Sequence, residues 1–557
     1  MISEKLRARF LPALLLILAT FAVYARTLGH DFLINWDDNA YVTVNSSVHG
    51  FSLENIRTVF TSYYAGNYAP LQMLSYMFDF TLWGLNSGGF LLTNIVLHTI
   101  NGLMLYAILR KSHGERLLAI VGAAIFLLHP VQVESVAWIS QRKNLLAMLF
   151  MLLSWAAYIR YRNSTEKRGG LAYFVSVAAF LCSLLSKSAS VFFPVALLLY
   201  DYCFIEGRKS RLFDKIPFFI LAGAAAVLAI QSQSPEVTGW SGIDHGGRRS
   251  WHGGSPWATL LTMIPVFCSY LRMLVWPAGL SAVYAPSVHL TPDLTVLLST
   301  LMVMAAVYLS WRLYRFDRRF GYWPFFSLVA ILPVSQIIPL VTLMNDRYLY
   351  FPMIGVAALG GAGVMAIRGI LNERMTLSIS ILLLMALALT SFQRAGVWKS
   401  SRTLWSDAVR KVPGKYDAWE GLGEAYHLSA PVDLKAAEVA YSRAFALYSS
   451  NPDNLYNLAR VRSEQGDDGK GTVLLKKLLQ LNPEHVKGWA VLGDIYFKNG
   501  LFKKAEQAYR SAEVLQPEAV EVSLRLGNLY LSEGDFAKAR SYFDRAGVQD
   551  GEQPLPP

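Results

Sequence analysis

Residues 376–413 read TLSISILLLMALALTSFQRAGVWKSSRTLWSDAVRKVP. The first part, 376–393, is an apolar run of the kind that crosses a bilayer core of about 30 Å as roughly 20 residues of helix. The second, 403–413, is polar and amphipathic, and no Gly/Ser linker separates the two. Everything before this stretch follows its first part. Further candidate spans lie at 10–28, 89–109, 117–128, 144–161, 171–186, 190–205, 216–231, 294–311, 322–340 and 348–367. Composition agrees: of 557 residues 54% are hydrophobic and only 16% charged, with a mean hydropathy of +0.33. Soluble domains carry about 25% charged residues.

Basic clusters orient the spans, because loops rich in Lys and Arg stay in the cytoplasm. Lys5, Arg7 and Arg9 precede the first run, and Arg110, Lys111 and Arg116 follow the second. Arg160, Arg162, Lys167 and Arg168, then Arg208, Lys209, Arg211 and Lys215, fall on the same side if each run crosses once. Arg312, Arg315, Arg318 and Arg319 belong there too, so an odd number of crossings separates 231 from 312. The apolar run 257–276 is therefore expected to lie in the interface or re-enter, since 277–293 after it holds no Lys or Arg. Eleven crossings leave the N-terminus in the cytoplasm and the C-terminus outside. The first run also has the form of a signal peptide ending at Val23-Tyr24-Ala25, but the orientation works with it retained. The excess of Lys+Arg over Asp+Glu, 51 against 39, follows these clusters rather than a binding stripe. Nucleic acid is not the partner. Cys182, Cys203 and Cys268 are odd in number and sit in apolar stretches, which reads as buried hydrophobes.

After the apolar half the chain repeats itself. A shift of 34 residues pairs Pro483 with Pro517, Gly493 with Gly527 and Tyr496 with Tyr530, and also Gly500 with Gly534, Ala505 with Ala539 and Ala512 with Ala546. That period, with small residues at helix–helix contacts, is the tetratricopeptide pattern. Trp419, Gly423, Tyr426 and Ala444 give a looser copy, and 452–482 reads as a shortened, weak one. The expected organisation is all-α: a polytopic helix bundle of about eleven spans over 1–394, a helical junction at 395–415 and about four repeats over 416–547 forming an α-solenoid. A disordered tail, 548–557, follows. Ala408 stands in the junction where Ala512 stands in a repeat, so 403–413 reads as half a repeat mounted rigidly on the last span. The final repeat has no capping helix, and either a partner or a polar face covers its end.

Chemistry-bearing residues gather in the outer segments. Asp37 and Asp38 adjoin in FLINWDDNAYV, where paired carboxylates can hold a divalent metal ion or act as general base on an acceptor hydroxyl. HPVQVESVAWISQRKN (129–144) carries His129, Glu134, Arg142 and Lys143 on what reads as an amphipathic helix at membrane depth, where ionisable groups are costly and functional. Lys187 lies in the turn SKSAS with Asp201 at the far end of the next span, and LMNDRYLYFP presents Asp346 and Arg347. The Gly- and Trp-rich loop 232–256, with His245, Arg248, Arg249 and His252, reads equally as a substrate cover or an ordinary loop. Each feature has a bland counterpart: a solvated turn, a snorkelling side chain, an interfacial ion pair. Their shared face favours acids that handle a hydroxyl and cations that hold a lipid-linked phosphate.

DFLINWDDNAYV, NYAPLQMLSYMFDFTLWGLNSGGFLLTNIVLHTINGL, FLLHPVQVESVAWISQRKNLLAMLFMLLS, the SK of LLSKSAS and DRYLYFP together resemble, in order, the TMTC (transmembrane and tetratricopeptide-repeat) proteins of the GT-C glycosyltransferase superfamily. The resemblance covers the whole chain. It implies transfer of a sugar from a polyprenyl-phosphate carrier to protein hydroxyls on the far side of the membrane. It implies catalytic roles for Asp37, Asp38, Glu134 and His129, with Asp37 and Asp38 as the seat of any metal, and donor-phosphate binding by Arg142, Lys187 and Arg347. This chain reads SKS where the family has a CKE-like turn, so the acidic neighbour of Lys187 is missing, and Asp346 replaces the commoner Glu. The expected partners are a polyprenyl-phosphate sugar, an exported protein met by the repeats, and membrane lipid. The expected setting is a bacterial inner membrane with periplasmic repeats. A non-catalytic membrane-anchored repeat scaffold is the alternative; a transporter is disfavoured because the charges cluster at one surface.

Overall fold

The computed structural model describes residues 2–164, 167–205, 212–233 and 251–547, and all regular structure among them is helical apart from one bridge between Tyr64 and Asn67. The tail at 548–557, Arg208, Lys209 and Arg211, and the loop residues His245, Arg248 and Arg249 lie outside the described residues. The chain divides into two compact units between Lys411 and Val412.

In the first unit, eight helices among the described residues are long and apolar enough to cross a membrane: Phe10–Gly29, Ser87–His113, Ile139–Asn163, Gly169–Ser186, Phe213–Gln231, Pro256–Val275, Leu294–Phe316 and Glu373–Val397. Shorter apolar helices, Ser188–Phe204 and Met353–Arg368, accompany them. Small residues let two of the shorter segments cross closely. A Cβ at Gly361 would stand 2.3 Å from the Leu118 carbonyl oxygen, and one at Gly122 3.1 Å from that of Ala357. Without a hydrophobic force between helices in lipid, such close backbone packing is a main source of adhesion.

Three expectations change. The run 322–340 is not one helix: Arg318–Ile331 gives way to a short turn, Leu332–Val334, and irregular chain, because Pro333 and Pro339 remove backbone donors. The run 257–276 forms a full helix, Pro256–Val275, whose buried face (Met263, Val266, Tyr270, Met273) packs on Val131, Met344 and Leu349. Finally, 129–144 is no amphipathic helix. Arg116–Leu128 stops at Pro130, bends by 49° into Pro130–Ala137, and a further turn at Ile139–Gln141 leads into Arg142–Asn163. Every residue from 121 to 148 is buried, so the segment is a polar plug within the unit.

The junction helix Ser401–Lys411 belongs to the first unit. Arg394 donates to Asp407 at 3.0 Å, and Lys411 donates to Asp407 at 2.6 Å and to the Leu280 carbonyl at 2.5 Å.

The second unit holds four two-helix repeats, with first helices beginning at 416, 452, 486 and 520 and second helices at 434, 468, 502 and 536. The 452–482 copy is therefore not shortened. Gly423, Gly493 and Gly527 abut the rings of Tyr441, Tyr509 and Phe543, and a Cβ there would meet them at 2.6 Å or less. In the second copy Ala459 and Leu475, both fully buried, take these places. A larger first residue and a smaller second fill the same volume, which hid the repeat from residue-by-residue matching.

Candidate functional site

Asp37 and Asp38 leave the chain in opposite senses. Asp38 is 1% exposed: Leu33 N–H donates to one carboxylate oxygen at 2.9 Å, and Ser140 donates to the other through its N–H, at 3.0 Å, and its hydroxyl. It ties the first loop to the plug. Burial, reinforced by Asp37 and opposed by these donors, pushes its pKa up to about 6. The Asp37 side chain keeps 29% of its exposure and lies 4.0 Å from the Lys143 ammonium.

Arg142, expected on a donor phosphate, has other partners. It is fully buried, ion-paired with Asp79, and donates to Asn94 Oδ1 at 2.9 Å, the Phe90 carbonyl at 2.5 Å and the Ser75 carbonyl at 3.4 Å. The Tyr76 ring covers its guanidinium at 4.9 Å. Glu134 is likewise buried and receives both the Arg347 guanidinium, at 2.6 Å, and its backbone N–H, at 3.0 Å. Arg347 rests on the Trp138 ring at 5.5 Å. Its neighbour Asp346 faces Tyr284 and Arg394, the latter at 3.6 Å, and burial raises its pKa to about 7. His129 accepts from Val131 N–H at 3.3 Å and contacts the Leu274 carbonyl at 3.2 Å.

Among the site cations, Lys143 has its carboxylate, Asp37, only at 4.0 Å, and Lys187 has none within ion-pair reach among the described residues. Lys143 donates to the Tyr41 hydroxyl at 3.1 Å, and Lys187 to the Asn144 amide oxygen at 2.7 Å. Burial holds the Lys187 ammonium well below its usual pKa; Lys143 and Arg347 add to this, while Glu134 and Asp37 oppose it. The field at Lys187 thus comes from the residues that the sequence placed on one face.

Both lysines line a cleft with about 100 Å³ of free space. Its walls are Leu181, Leu184 and Leu185 on one helix and Leu221, Ala224, Ala225, Leu228 and Ala229 on another, and its roof is Gly66–Ala69. The arrangement suits an amphipathic anion: apolar walls for a chain, ammonium groups for the head. One helical step turns Arg142 to Asp79 and Lys143 toward the cleft.

The donor set for a metal is thin. Asp38 spends one oxygen on its own loop, at Leu33 N–H, and the other on the plug, at Ser140, and among the described residues no three His, Cys, Asp or Glu side chains group as ligands.

A family model described as dolichyl-phosphate-mannose-protein mannosyltransferase matches residues 70–233, and one described as tetratricopeptide repeat matches 456–517 and 491–554. The former takes in Glu134, Arg142, Lys143 and Lys187 but neither Asp37 nor Arg347. A Caenorhabditis elegans protein O-mannosyl-transferase is 23% identical over 445 residues, 76% of this chain and 61% of the relative. The Drosophila melanogaster protein O-mannosyl-transferase Tmtc2 is 28% identical over 282 residues, 47% of this chain and 29% of its own. The human protein O-mannosyl-transferase TMTC1 is 29% identical over 153 residues, 26% and 17% of the two chains. The chain thus spans 61% or less of these relatives' lengths. Among solved structures, that of MamA covers 28% of this chain and 86% of its own at 18% identity, with a TM-score of 0.24, too low to bear on the fold. On the matches to its two halves, the chain is an integral membrane protein with a tetratricopeptide unit and is similar to the TMTC protein O-mannosyl-transferases.

Proposed function

We propose that this chain is a membrane glycosyltransferase that moves a sugar from a polyprenyl-phosphate donor to a hydroxyl group of an exported protein on the non-cytoplasmic face. The observation that carries this reading is the cleft in which Lys143 and Lys187 crown apolar helix walls, with Asp37 4.0 Å from Lys143. The relatives' names make mannose the first sugar to test.

In this mechanism Asp37 takes the proton of the acceptor hydroxyl as its oxygen attacks the anomeric carbon. The bond from that carbon to the phosphate oxygen breaks, and the lipid phosphate leaves with the electron pair, inverting the sugar. The phosphate passes from one negative charge to two, which Lys143 and Lys187 meet at the point where charge develops. Lys187, held from its charged form by burial, takes up a proton more readily as that charge grows. The Glu134–Arg347 pair ties the 346–349 turn to the plug that leads into Lys143, and Asp38 holds the loop that presents Asp37. Arg142 has a packing role. The repeats receive the acceptor or a partner that delivers it.

The test is sugar transfer from polyprenyl-phosphate mannose by the purified full chain, together with the glycan masses on exported proteins in cells carrying Asp37→Asn. Loss of one defined sugar mass from particular proteins is expected. A purified chain that neither binds nor turns over the donor, with Asp37→Asn cells unchanged at normal protein level, would refute the reading and leave the scaffold.

A further inference from the structure

The roof of the cleft is built unlike its walls. Tyr64 and Asn67 exchange backbone hydrogen bonds at 3.0 and 2.9 Å around a two-residue turn, Ala65–Gly66, in which both residues have positive φ, +44° and +67°. Glycine takes this conformation freely, but alanine does so only at a cost of about 1 kcal/mol or more. The surroundings hold it. Ser232 donates to the Gly66 carbonyl at 3.0 Å, and the Tyr41 hydroxyl donates to the Tyr64 carbonyl at 3.2 Å. The same hydroxyl accepts from the Asn67 side chain at 3.1 Å and from the Lys143 ammonium at 3.1 Å. A single phenol thus couples the turn to a cation of the cleft, and Ser232 couples it to the end of the helix that forms one apolar wall.

This inference rests on the donor reading above. A sugar joined directly to a phosphate on Lys143 and Lys187 has to lie beside them, and the leucine and alanine walls offer its hydroxyl groups no partner. Polar groups reach the cleft from Ser186, Ser188, Ser232 and Gln233 and from the roof; the Ser186 and Ser232 hydroxyls already donate to backbone carbonyls, whereas the roof presents an acceptor. The Asn67 side-chain oxygen has no hydrogen-bond partner among the described residues, and Tyr68 lines the cleft with its hydroxyl donating to the Phe60 carbonyl at 3.0 Å, which orients the ring. A fixed acceptor and a fixed aromatic ring suit the polar edge and the C–H face of a pyranose.

We propose that the 64–67 turn and Tyr68 read the sugar of the donor, with Asn67 and Tyr68 as the specificity-determining side chains and Tyr41 as the group that keeps their register with the phosphate. A buried polar contact to one hydroxyl discriminates against its epimer far better than an apolar wall can.

The experiment is competition binding to the full chain in detergent with three probes: polyprenyl phosphate, polyprenyl-phosphate mannose and polyprenyl-phosphate glucose. The wild type is expected to separate the two sugars by about tenfold or more. Asn67→Ala and Tyr68→Ala should bring that ratio to within about twofold while sugar-free polyprenyl phosphate binds within about threefold of wild type. Asn67→Gln, which moves the amide without removing it, is the second variant and should also change the ratio. An unchanged ratio in these variants, equal binding of both sugars by the wild type, or loss of sugar-free lipid in the same proportion as the sugars would overturn the proposal. A wild type that binds none of the three probes overturns the donor reading itself, and this inference with it.

Discussion

Adjacent side chains in this protein serve different ends, and substitutions should separate them. Arg142→Ala leaves Asp79 buried without its partner, a loss of about 3–5 kcal/mol for a broken buried pair. It should lower the unfolding temperature sharply. Lys187→Met removes a half-buried amine whose charged form its surroundings disfavour and which has no carboxylate within ion-pair reach among the described residues, so stability should hold or rise while transfer falls by about 100-fold, the scale of one lost transition-state donor. Unfolding and transfer assays on the two variants check both, and equal effects on the two readouts would refute the division. Asp38 gives a pH signature. Its pKa is near 6 in the folded chain and near 3.8 unfolded, so between these values the folded state holds a proton that the unfolded state has released. Stability should fall as pH rises through that window and level off above it. Asp38→Asn should flatten the slope below about pH 6 and leave the share of Asp346, which burial raises to about 7, and a variant whose melting-temperature curve from pH 4 to 8 parallels the wild type would contradict the assignment. The acidic pair and the cations were legible from residue type. Which of Arg142 and Lys143 faces the cleft, and which of Asp37 and Asp38 lies near Lys143, was not, because both depend on contacts of the 138–141 turns that carry no periodic signal.

At the scale of elements, the repeats show how volume substitutes for identity. Gly493→Ala drives a Cβ into the Tyr509 ring, from which it would stand 2.3 Å, and should cost about 1–3 kcal/mol. Adding Tyr509→Leu reproduces the Ala459–Leu475 pair of the second copy and should recover most of that loss. A double-mutant cycle by thermal unfolding measures the coupling; additive effects would show that the two positions do not share a packing site. Loop length also explains the weak first copy. Gly466, Gly500 and Gly534 sit at positive φ in three-residue turns, whereas 429–433 joins the first pair with five residues. The apolar runs were legible for the same reason the repeats were, a sustained period. The plug at 129–141 was not, since its three short elements of three to five residues end before any period is established.

For the molecule as a whole, the basic clusters and the cleft sit at opposite ends of the same helices. Arg162 and Lys215 close one end on Asp201 and Asp214, while Lys143 and Lys187 stand at the other. Single cysteines placed at Asn45 and at Ser532 in a cysteine-free chain should react with a membrane-impermeant maleimide from the same side, and one at Ser112 only after permeabilisation. Labelling of Asn45 and Ser532 from opposite sides would refute the expectation that the first loop and the repeats share the non-cytoplasmic face. By itself the sequence determined what depends on composition and period: a membrane half, its basic-loop pattern, and a tetratricopeptide half read from 416 after a junction at 395–415. Tertiary structure decided what depends on contact between distant residues. The Asp79–Arg142 and Glu134–Arg347 pairs join residues 63 and 213 positions apart, and the cleft draws its roof, walls and cations from segments near 67, 143, 187 and 225. Such partners leave no local pattern, because a buried charge chooses the nearest compensating group in space, not the nearest in sequence.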